Sequence, residues 1–324
     1  MKTKDQLLEL LELNRGEYFS GEEIAQRFSV SRAAVWKAVK TLQGEGYDIS
    51  AVTNRGYCLS LKTDILSPQG IQKYLKPECR SMELCVLPTA KSTNTLVYEK
   101  AVSGQAEGYA VFSNEQTEGR GRYGRTFYSP CKTGIYMSLL LRPDSYSAKQ
   151  AVRITTMAAV AMCEAIETVS DKKAQIKWVN DIFIDGKKVC GILTDASFGL
   201  ESGMLEFAVL GIGLNVYYPS GGFPDDIRDI AGAVFHETRH DMKNRLAAEF
   251  LNRFMAYYAA ENQCGYIEKY RERCFVIGRH IMVNNGDRSR DALALGIDDA
   301  CRLLVRYDDG TEEYLMSGDI SIRL

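Results

Sequence analysis

Seven residues, Gly119-Arg120-Gly121-Arg122-Tyr123-Gly124-Arg125, hold three glycines and three arginines. Glycine admits positive φ and close backbone approach. Arginine presents a planar fork that fits carboxylate or phosphate. A packed core has no use for three guanidinium groups together. The segment therefore reads as a loop that is loose until an anion neutralises it, and that then closes over the anion. It lacks the Gly-Lys-Ser/Thr ending of a phosphate loop, and it is not a G-x-G-x-x-G turn opening a helix. The alternatives are a solvated loop and an RNA-binding Arg/Gly segment. A single occurrence within globular sequence argues against the latter.

Other polar groups flank this loop. Upstream, Lys91-Ser92-Thr93-Asn94 either caps a helix or offers donors and acceptors to a polar ligand ring. Downstream come Lys177-Trp178-Val179-Asn180-Asp181 and Gly186-Lys187-Lys188-Val189-Cys190-Gly191-Ile192-Leu193. A lysine aimed into a cleft beside an arginine loop completes an anion site, although Asp185-Gly186-Lys187 alone reads as a hairpin turn. Gly211-Ile212-Gly213-Leu214-Asn215 ends a strand with two glycines and an amide. No Ser/His/Asp set is present, nor a thiol with a base. His236 and His240 stand four apart, but no acid or thiol pattern completes a metal site with them.

These residues need a scaffold, and 324 residues at 45% hydrophobic and 25% charged provide a globular one. That length suggests about two domains, with room for a small third. Lys plus Arg is 40 against 42 for Asp plus Glu, a net of −2, which excludes a globally basic nucleic-acid protein but not a local basic face. Nine cysteines, an odd number without a C-x-x-C pair, read as reduced thiols of a cytoplasmic protein. The N-terminus has acids inside its apolar stretch, unlike a signal peptide. The longest apolar run, Met157 to Cys163, is far short of the ~20 residues of a membrane span.

The first 62 residues predict a winged helix-turn-helix. Leu7, Leu8, Leu10 and Leu11 make one apolar helical stripe. Ser20 caps a second helix, with Glu23 as capping-box partner and Ile24, Ala25 and Phe28 inward. After the Ser29-Val30-Ser31 turn, Ser31 caps a third helix with Val35, Val39 and Leu42 inward, so the helix-turn-helix occupies about 21–42. Two short strands follow, Tyr47 to Ile49 and Val52 to Leu59, around Asn54-Arg55-Gly56. The third helix carries Arg32, Lys37 and Lys40 and no acid between Ser31 and Leu42, a face of +3 suited to the major groove. Ser31, Arg32, Lys37, Lys40 and the hairpin-tip Arg55 are the candidate DNA contacts.

A linker near Leu61 to Asp64 leads to a mixed-sheet segment assigned to 65–272. Its strands include Glu83 to Leu87, Tyr109 to Phe112, Gly134 to Leu141, Gln175 to Trp178, Asp181 to Ile184, Val189 to Leu193 and Phe207 to Gly213. Its helices are Ala151 to Val169, Lys243 to Ala260 and Tyr266 to Cys274. Short Asp-Gly and Gly turns favour hairpins over a doubly wound sheet. From 275 to 324, alternating segments near 280–284, 291–296, 302–307 and 312–316 predict a small SH3-like β-barrel. The overall class is α+β.

Taken in order, Ser92-Thr93-Asn94, the GRGRYGR loop, Lys-Trp-x-Asn-Asp, Lys-x-x-Gly-Ile-Leu and Gly-Ile-Gly-Leu-Asn resemble the biotin protein ligases. The resemblance spans the whole chain. With the winged helix in front, it is to the bifunctional kind that is both ligase and biotin operon repressor. It implies a central domain of the class II synthetase and lipoate-ligase kind. Two positions depart from the family. Val179 stands where Pro is common, which loosens that turn. Tyr123 stands where another basic residue is often found, which lowers the loop's charge.

The resemblance implies that the biotin carboxylate attacks the α-phosphorus of ATP, giving biotinyl-5′-AMP and pyrophosphate. A carrier-domain lysine then attacks the mixed anhydride. Ser92, Thr93, Asn94, Gln116, Arg120, Gly121, Arg122 and Lys188 are implied at biotin. Arg120, Arg122, Phe127, Lys177, Asn180, Asp181 and Asn215 are implied at the nucleotide, with Phe127 packing on adenine. Lys188 and Arg122 are the implied catalytic cations, and Arg125 is implied to anchor the closed loop. Mg²⁺ is implied to arrive with ATP, without a tight protein site. The implied partners are biotin carboxyl carrier protein, operator DNA and a second copy of the chain in an adenylate-promoted homodimer. The alternatives are a lipoate or octanoate ligase of the same fold and an adenylate-sensing DNA-binding regulator without ligase activity.

Overall fold

The structure is a computed structural model that describes residues 2–143, 146, 150–199, 201, 203–260, 265–285, 288–316 and 318–322. It divides into two compact units, Met1–Arg80 with Glu237–Glu249, and Ser81–His236 with Phe250–Leu324. Among the described residues, no helix is long and apolar enough to cross a membrane.

The first unit begins with α1 (Thr3–Leu13), α2 (Gly21–Phe28) and α3 (Arg32–Gly44), followed by β1 (Ile49–Val52) and β2 (Gly56–Leu59). Leu7, Leu11, Ile24, Val35, Val39, Leu42 and Leu59 are fully buried together, with Phe28 packed at the edge. Ser20 Oγ accepts from Glu23 N–H at 3.1 Å, and Ser31 Oγ accepts from Ala34 N–H at 3.2 Å, so both expected caps form. Each satisfies an otherwise orphaned helix donor. Ser29 turns the chain in the left-handed region at φ 55°.

The hairpin differs from expectation by its register. Val52 pairs with Gly56, so Val52 closes β1 rather than opening β2, and the loop is Thr53-Asn54-Arg55. The reason is Gly56, at φ 100°, where a Cβ would lie 2.0 Å from Phe19 O. Only glycine lets β2 pass that close to the backbone of Phe19, whose N–H and C=O both bond Tyr57.

The expected boundary between 62 and 65 falls inside this unit, which continues through α4 (Pro68–Gln72) to Arg80. Four charges explain the continuation. Arg15 bridges Glu12 and Asp241 at 2.8 Å each, and Lys73 reaches Glu12 at 2.7 Å and Asp241 at 2.5 Å. Tyr74 Oη donates to Asp241 at 2.7 Å. Two positive and two negative side chains thus neutralise one another where each is at least nine-tenths buried. Burial alone would lower the pKa of Arg15, but Glu12 and Asp241 hold it above its ordinary value.

The second unit holds a seven-stranded mixed sheet ordered β3-β4-β5-β9-β8-β7-β6. The strands are β3 (Glu83–Leu87), β4 (Tyr109–Ser113), β5 (Gly134–Leu141), β6 (Gln175–Lys177), β7 (Asp181–Ile184), β8 (Lys187–Phe198) and β9 (Leu205–Asn215). Only β3 and β4 pair in parallel, and the other neighbours are antiparallel. The crossover between β3 and β4 carries α5 (Thr93–Val102). The hairpin from β7 to β8 turns at Asp185-Gly186, both at positive φ, as a two-residue loop requires. The long helix α6 (Ala151–Val169) buries Ile154, Met157, Val160, Cys163 and Ile166. Of two later helices, α8 (Ile267–Arg273) belongs to this unit, as does α7 (Met242–Tyr258) from Phe250 onward, its residues through Glu249 being counted with the first.

The C-terminal strands are β10 (His280–Asn285), β11 (Arg288–Ile297), β12 (Leu303–Tyr307), β13 (Glu312–Leu315) and β14 (Asp319–Ile322). They form one antiparallel sheet ordered β13-β12-β11-β10-β14. The sequence reading found four of them. The fifth, β14, pairs with β10, so among the described residues the ladder runs from β13 to β14.

Candidate active site and DNA-facing helix

The pocket grows from the glycines of the central sheet. On β9, a Cβ at Gly211 would lie 2.0 Å from Asn94 Oδ1, and one at Gly213 would lie 2.5 Å from the Phe127 ring. Bare backbone there lets α5 and the arginine loop settle onto the strands. The pocket above has a volume of about 230 Å³. All the residues expected at biotin and nucleotide line it: Ser92, Thr93, Asn94, Gln116, Arg120, Gly121, Arg122, Phe127, Lys177, Asn180, Asp181, Lys188 and Asn215.

One end is an uncharged hydrogen-bonding wall. Ser92, Thr93 and Asn94 start α5 and are buried, with Ser92 at its N-cap position but giving no side-chain cap bond. Gln116 Oε1 accepts from Thr93 N–H at 2.9 Å, while Gln116 Nε2 donates to Ser129 Oγ at 3.1 Å. Ser138 Oγ lies 2.6 Å from Asn94 Oδ1, and Asn94 Nδ2 donates to Asp195 at 3.1 Å. Every amide orientation is fixed by a partner, so the wall is rigid before any ligand arrives.

The other end is cationic. Lys188 Nζ lies 2.7 Å from Asp181 Oδ1, and both face the pocket from adjacent strands. Lys177 has its pKa lowered, first by desolvation, with Asp181 and Asp319 opposing and Lys188 and Arg125 adding. An anion placed there would favour the charged form. Asn180 Nδ2 donates to Ile192 O at 2.8 Å, and Asn215 Nδ2 donates to Gly232 O at 3.0 Å. At the Trp178-Val179 step, Tyr270 Oη donates to Val179 O at 3.0 Å and Trp178 Nε1 donates to Cys301 O at 3.0 Å.

Between the two ends lies the arginine loop. Arg122 Nη1 donates to Asn180 Oδ1 at 3.1 Å and to Gly318 O at 3.2 Å, and its guanidinium stands 5.0 Å from the Tyr123 ring centre. Arg125 pairs with Asp319 on β14. Arg120, half exposed, is 3.5 Å from Asp195. Tyr123 takes positive φ, and its hydroxyl accepts from Arg122 at 3.1 Å, so a non-basic residue here still supports its neighbour.

Sequence reasoning missed Ser129, Ser138, Asp195, Asp319 and the apolar lining of Phe223, Ile227 and Ile230. Ser138 carried a signal, a hydroxyl inside the apolar run from Tyr136 to Leu141. The others carried none without the fold. Cys190, next in sequence to the pocket-lining Gly191, is fully buried with its pKa pushed up by desolvation, so it is no nucleophile.

The predicted DNA face is confined to the first unit. Ser31, Arg32, Lys37, Lys40 and Arg55 are all exposed there. The +3 face is partly offset, because Glu22 on α2 stands 3.7 Å from Arg32. Arg55 stacks on Tyr18, with its guanidinium 4.0 Å from the ring centre.

A winged helix, a glycine-floored cleft joining an amide wall to a cationic end, and a C-terminal β-sheet define an acyl-activating ligase with an attached nucleic-acid reader. The comparisons specify which. Residues 86–215 match the biotin/lipoate A/B protein ligase family, 3–58 an HTH domain and 276–323 the biotin protein ligase C-terminal domain. The bifunctional ligase/repressor BirA of Bacillus spizizenii is 33% identical over 98% of this chain and 97% of its own. BirA of Escherichia coli is 27% identical over 96% and 95%. The biotin protein ligase of Aquifex aeolicus in complex with biotin and ATP shares the fold, with a TM-score of 0.62, at 23% identity over 74% of this chain and 98% of that one. The chain belongs to the family of bifunctional biotin protein ligases and repressors.

Proposed function

We propose that the protein activates biotin with ATP as biotinyl-5′-AMP and transfers it to one lysine of a biotin carboxyl carrier protein. The observation that carries this reading is one pocket lined both by the Ser92-Thr93-Asn94 wall and by the Arg122 and Lys188 cations. The wall suits an uncharged ureido ring. Its donors and acceptors, already fixed, would bind the ring at little ordering cost. Lys188 and Arg122 would hold the carboxylate against the α-phosphate and stabilise the charge that builds there. The carboxylate oxygen forms the bond to phosphorus as pyrophosphate leaves. The carrier amine then displaces AMP from the carbonyl. Phe127 is assigned to adenine, Lys177, Asn180, Asp181 and Asn215 to the nucleotide side, and Arg125 to anchoring the closed loop.

Mg²⁺ would enter with the phosphates. Asp181 lines the pocket, as does Asp319, and would be a carboxylate available to such an ion.

Residues 1–62 are assigned to operator DNA, 65–272 to the ligase and 275–324 to an accessory β domain. A cytoplasmic location and an adenylate-promoted homodimer that brings two winged helices to two half-sites complete the proposal. The test is biotin-dependent ATP–pyrophosphate exchange by the pure protein, with lipoate and octanoate as controls. Exchange with biotin alone supports the reading. Exchange only with lipoate or octanoate overturns the substrate, and none with any acid overturns the ligase.

A further inference from the structure

On α3, one large apolar side chain is displayed where helices of this size normally present polar groups. Trp36 is 56% exposed and is absent from the core that Val35, Val39 and Leu42 build on the opposite face. Exposing an indole forgoes burial of a side chain that can cover 150–250 Å². The indole does not stand alone. Arg32 and Lys40 lie one helical turn before and after it and Lys37 follows it, all exposed, with Lys40 Nζ 6.0 Å from its ring centre, and α3 contains no acid from Arg32 to Gly44.

We propose that Trp36 is a base-reading residue that packs against the 5-methyl group of a thymine in the major groove. This rests on the DNA-binding reading above and adds a residue and a contact to it. The cations around the indole would sit on phosphates, which fix position without carrying sequence information. Among base edges in the major groove, only thymine presents an apolar group, and apolar side chains read it by contact. The indole is placed to be that contact, because the helix presenting it is capped at Ser31 and anchored by its buried face. A second copy of the chain is the competing occupant, but the concentration of cations around Trp36 complements phosphate rather than an identical cationic face.

The test begins by selecting sites from a randomised duplex library with the full-length protein in biotin and ATP. The proposal expects an enriched motif containing thymine. It expects Trp36→Ala to lose about tenfold in affinity for that duplex, the scale of one lost base contact. Trp36→Phe, which keeps an apolar ring, should recover most of it. Replacing the thymine by deoxyuracil should weaken the wild type by a similar factor and leave Trp36→Ala unaffected. The salt dependence of binding should be the same for all three proteins, since no phosphate contact is removed. With biotin and ATP held constant, intrinsic fluorescence should change on DNA binding in the wild type and not in Trp36→Phe, which keeps only the buried Trp178. Enrichment of a motif to which the uracil duplex binds equally well overturns the proposal and leaves the repressor reading standing. Failure of the wild type to enrich any sequence overturns both. A Trp36→Ala protein that changes its sedimentation but not its DNA affinity assigns the indole to a protein contact and overturns the proposal.

Discussion

Lys188 and Asp181 form an ion pair at 2.7 Å across neighbouring strands, inside the pocket that also holds Lys177 and Asn180. The pair is partly solvated, with Lys188 32% exposed, so its value to stability is small, about 1 kcal/mol or less. Its value to chemistry is larger if the ammonium meets the reacting oxygen. Lys188→Ala is expected to lower the adenylation rate by about 10²–10³, the scale of losing one preorganised charge donor, with a melting temperature close to wild type. Pyrophosphate exchange and thermal unfolding measure the two effects. A rate loss that scales with unfolding would show Lys188 to be structural.

The two arginines of the loop should separate by environment. Arg122 reaches Asn180 and the Gly318 carbonyl, whereas Arg125 is 68% exposed and pairs with Asp319. An exposed pair is screened and worth little. Arg122→Gly is therefore expected to weaken retention of the adenylate by tenfold or more, and Asp319→Asn by less than about threefold. Release of radiolabelled adenylate from preloaded protein reads this directly. Equal release from both variants would contradict the ranking.

Gly211→Ala places a methyl group 2.0 Å from Asn94 Oδ1. Asn94 must then leave Ser138 and Asp195, which removes one side of the amide wall. Overpacking of this kind costs about 1–3 kcal/mol of stability. Biotin affinity should fall further than that of ATP, because Asn94 lies at the uncharged end. Calorimetric titration with each ligand distinguishes the two. A Gly211→Ala protein with wild-type biotin affinity would mean that α5 shifts freely.

Lys177 makes a pH prediction. Its folded pKa lies below the ordinary 10.5, chiefly through desolvation. Within the window between that lowered value and 10.5, the unfolded chain holds a proton that the folded protein has released, so stability rises with pH. Above 10.5 the Lys177 contribution is fully favourable, and it is lost as pH falls through the folded value. The stability of wild type minus that of Lys177→Gln should therefore increase across this window and flatten at both ends. Urea unfolding of both proteins at a series of pH values measures it. A constant difference would place Lys177 in water.

The buried charges of the first unit should respond more strongly than surface ones. Glu12→Gln leaves Arg15 and Lys73 with one carboxylate between them, each side chain at least nine-tenths buried. Breaking such a pair costs about 3–5 kcal/mol. Glu22→Gln, opposite the exposed Arg32 at 3.7 Å, should cost less than about 1 kcal/mol. Denaturant unfolding of the two variants tests the contrast.

Local chemistry was legible in the sequence wherever adjacent residues supply it. The caps at Ser20 and Ser31, the Asp185-Gly186 turn and the apolar faces of α1 to α3 need only neighbours a few residues away. The order of the strands and the gathering of the site into one pocket do not. Asp195 meets Asn94 across 101 positions, and Arg122 meets Gly318 across 196. The wing register turned on Gly56 meeting Phe19, and the domain edge turned on Asp241 meeting Arg15. Both are distant pairings that no periodicity announces. The strand β14 escaped notice because only four of its residues pair, beyond the last turn signal.

The charge cluster has a practical corollary for anyone who wishes to dissect the molecule. Cutting the chain after residue 62, the natural place by composition, would take Glu12 and Arg15 away with the winged helix and leave Lys73 facing Asp241 alone. Leu10 and Leu11 would go with them. The severed remainder would keep two ends of a four-member circuit in a site shaped for the missing half. A clean excision of the reader from the ligase would have to rebuild that seam, for example with apolar residues at 73 and 241, before the remainder could be judged on its own.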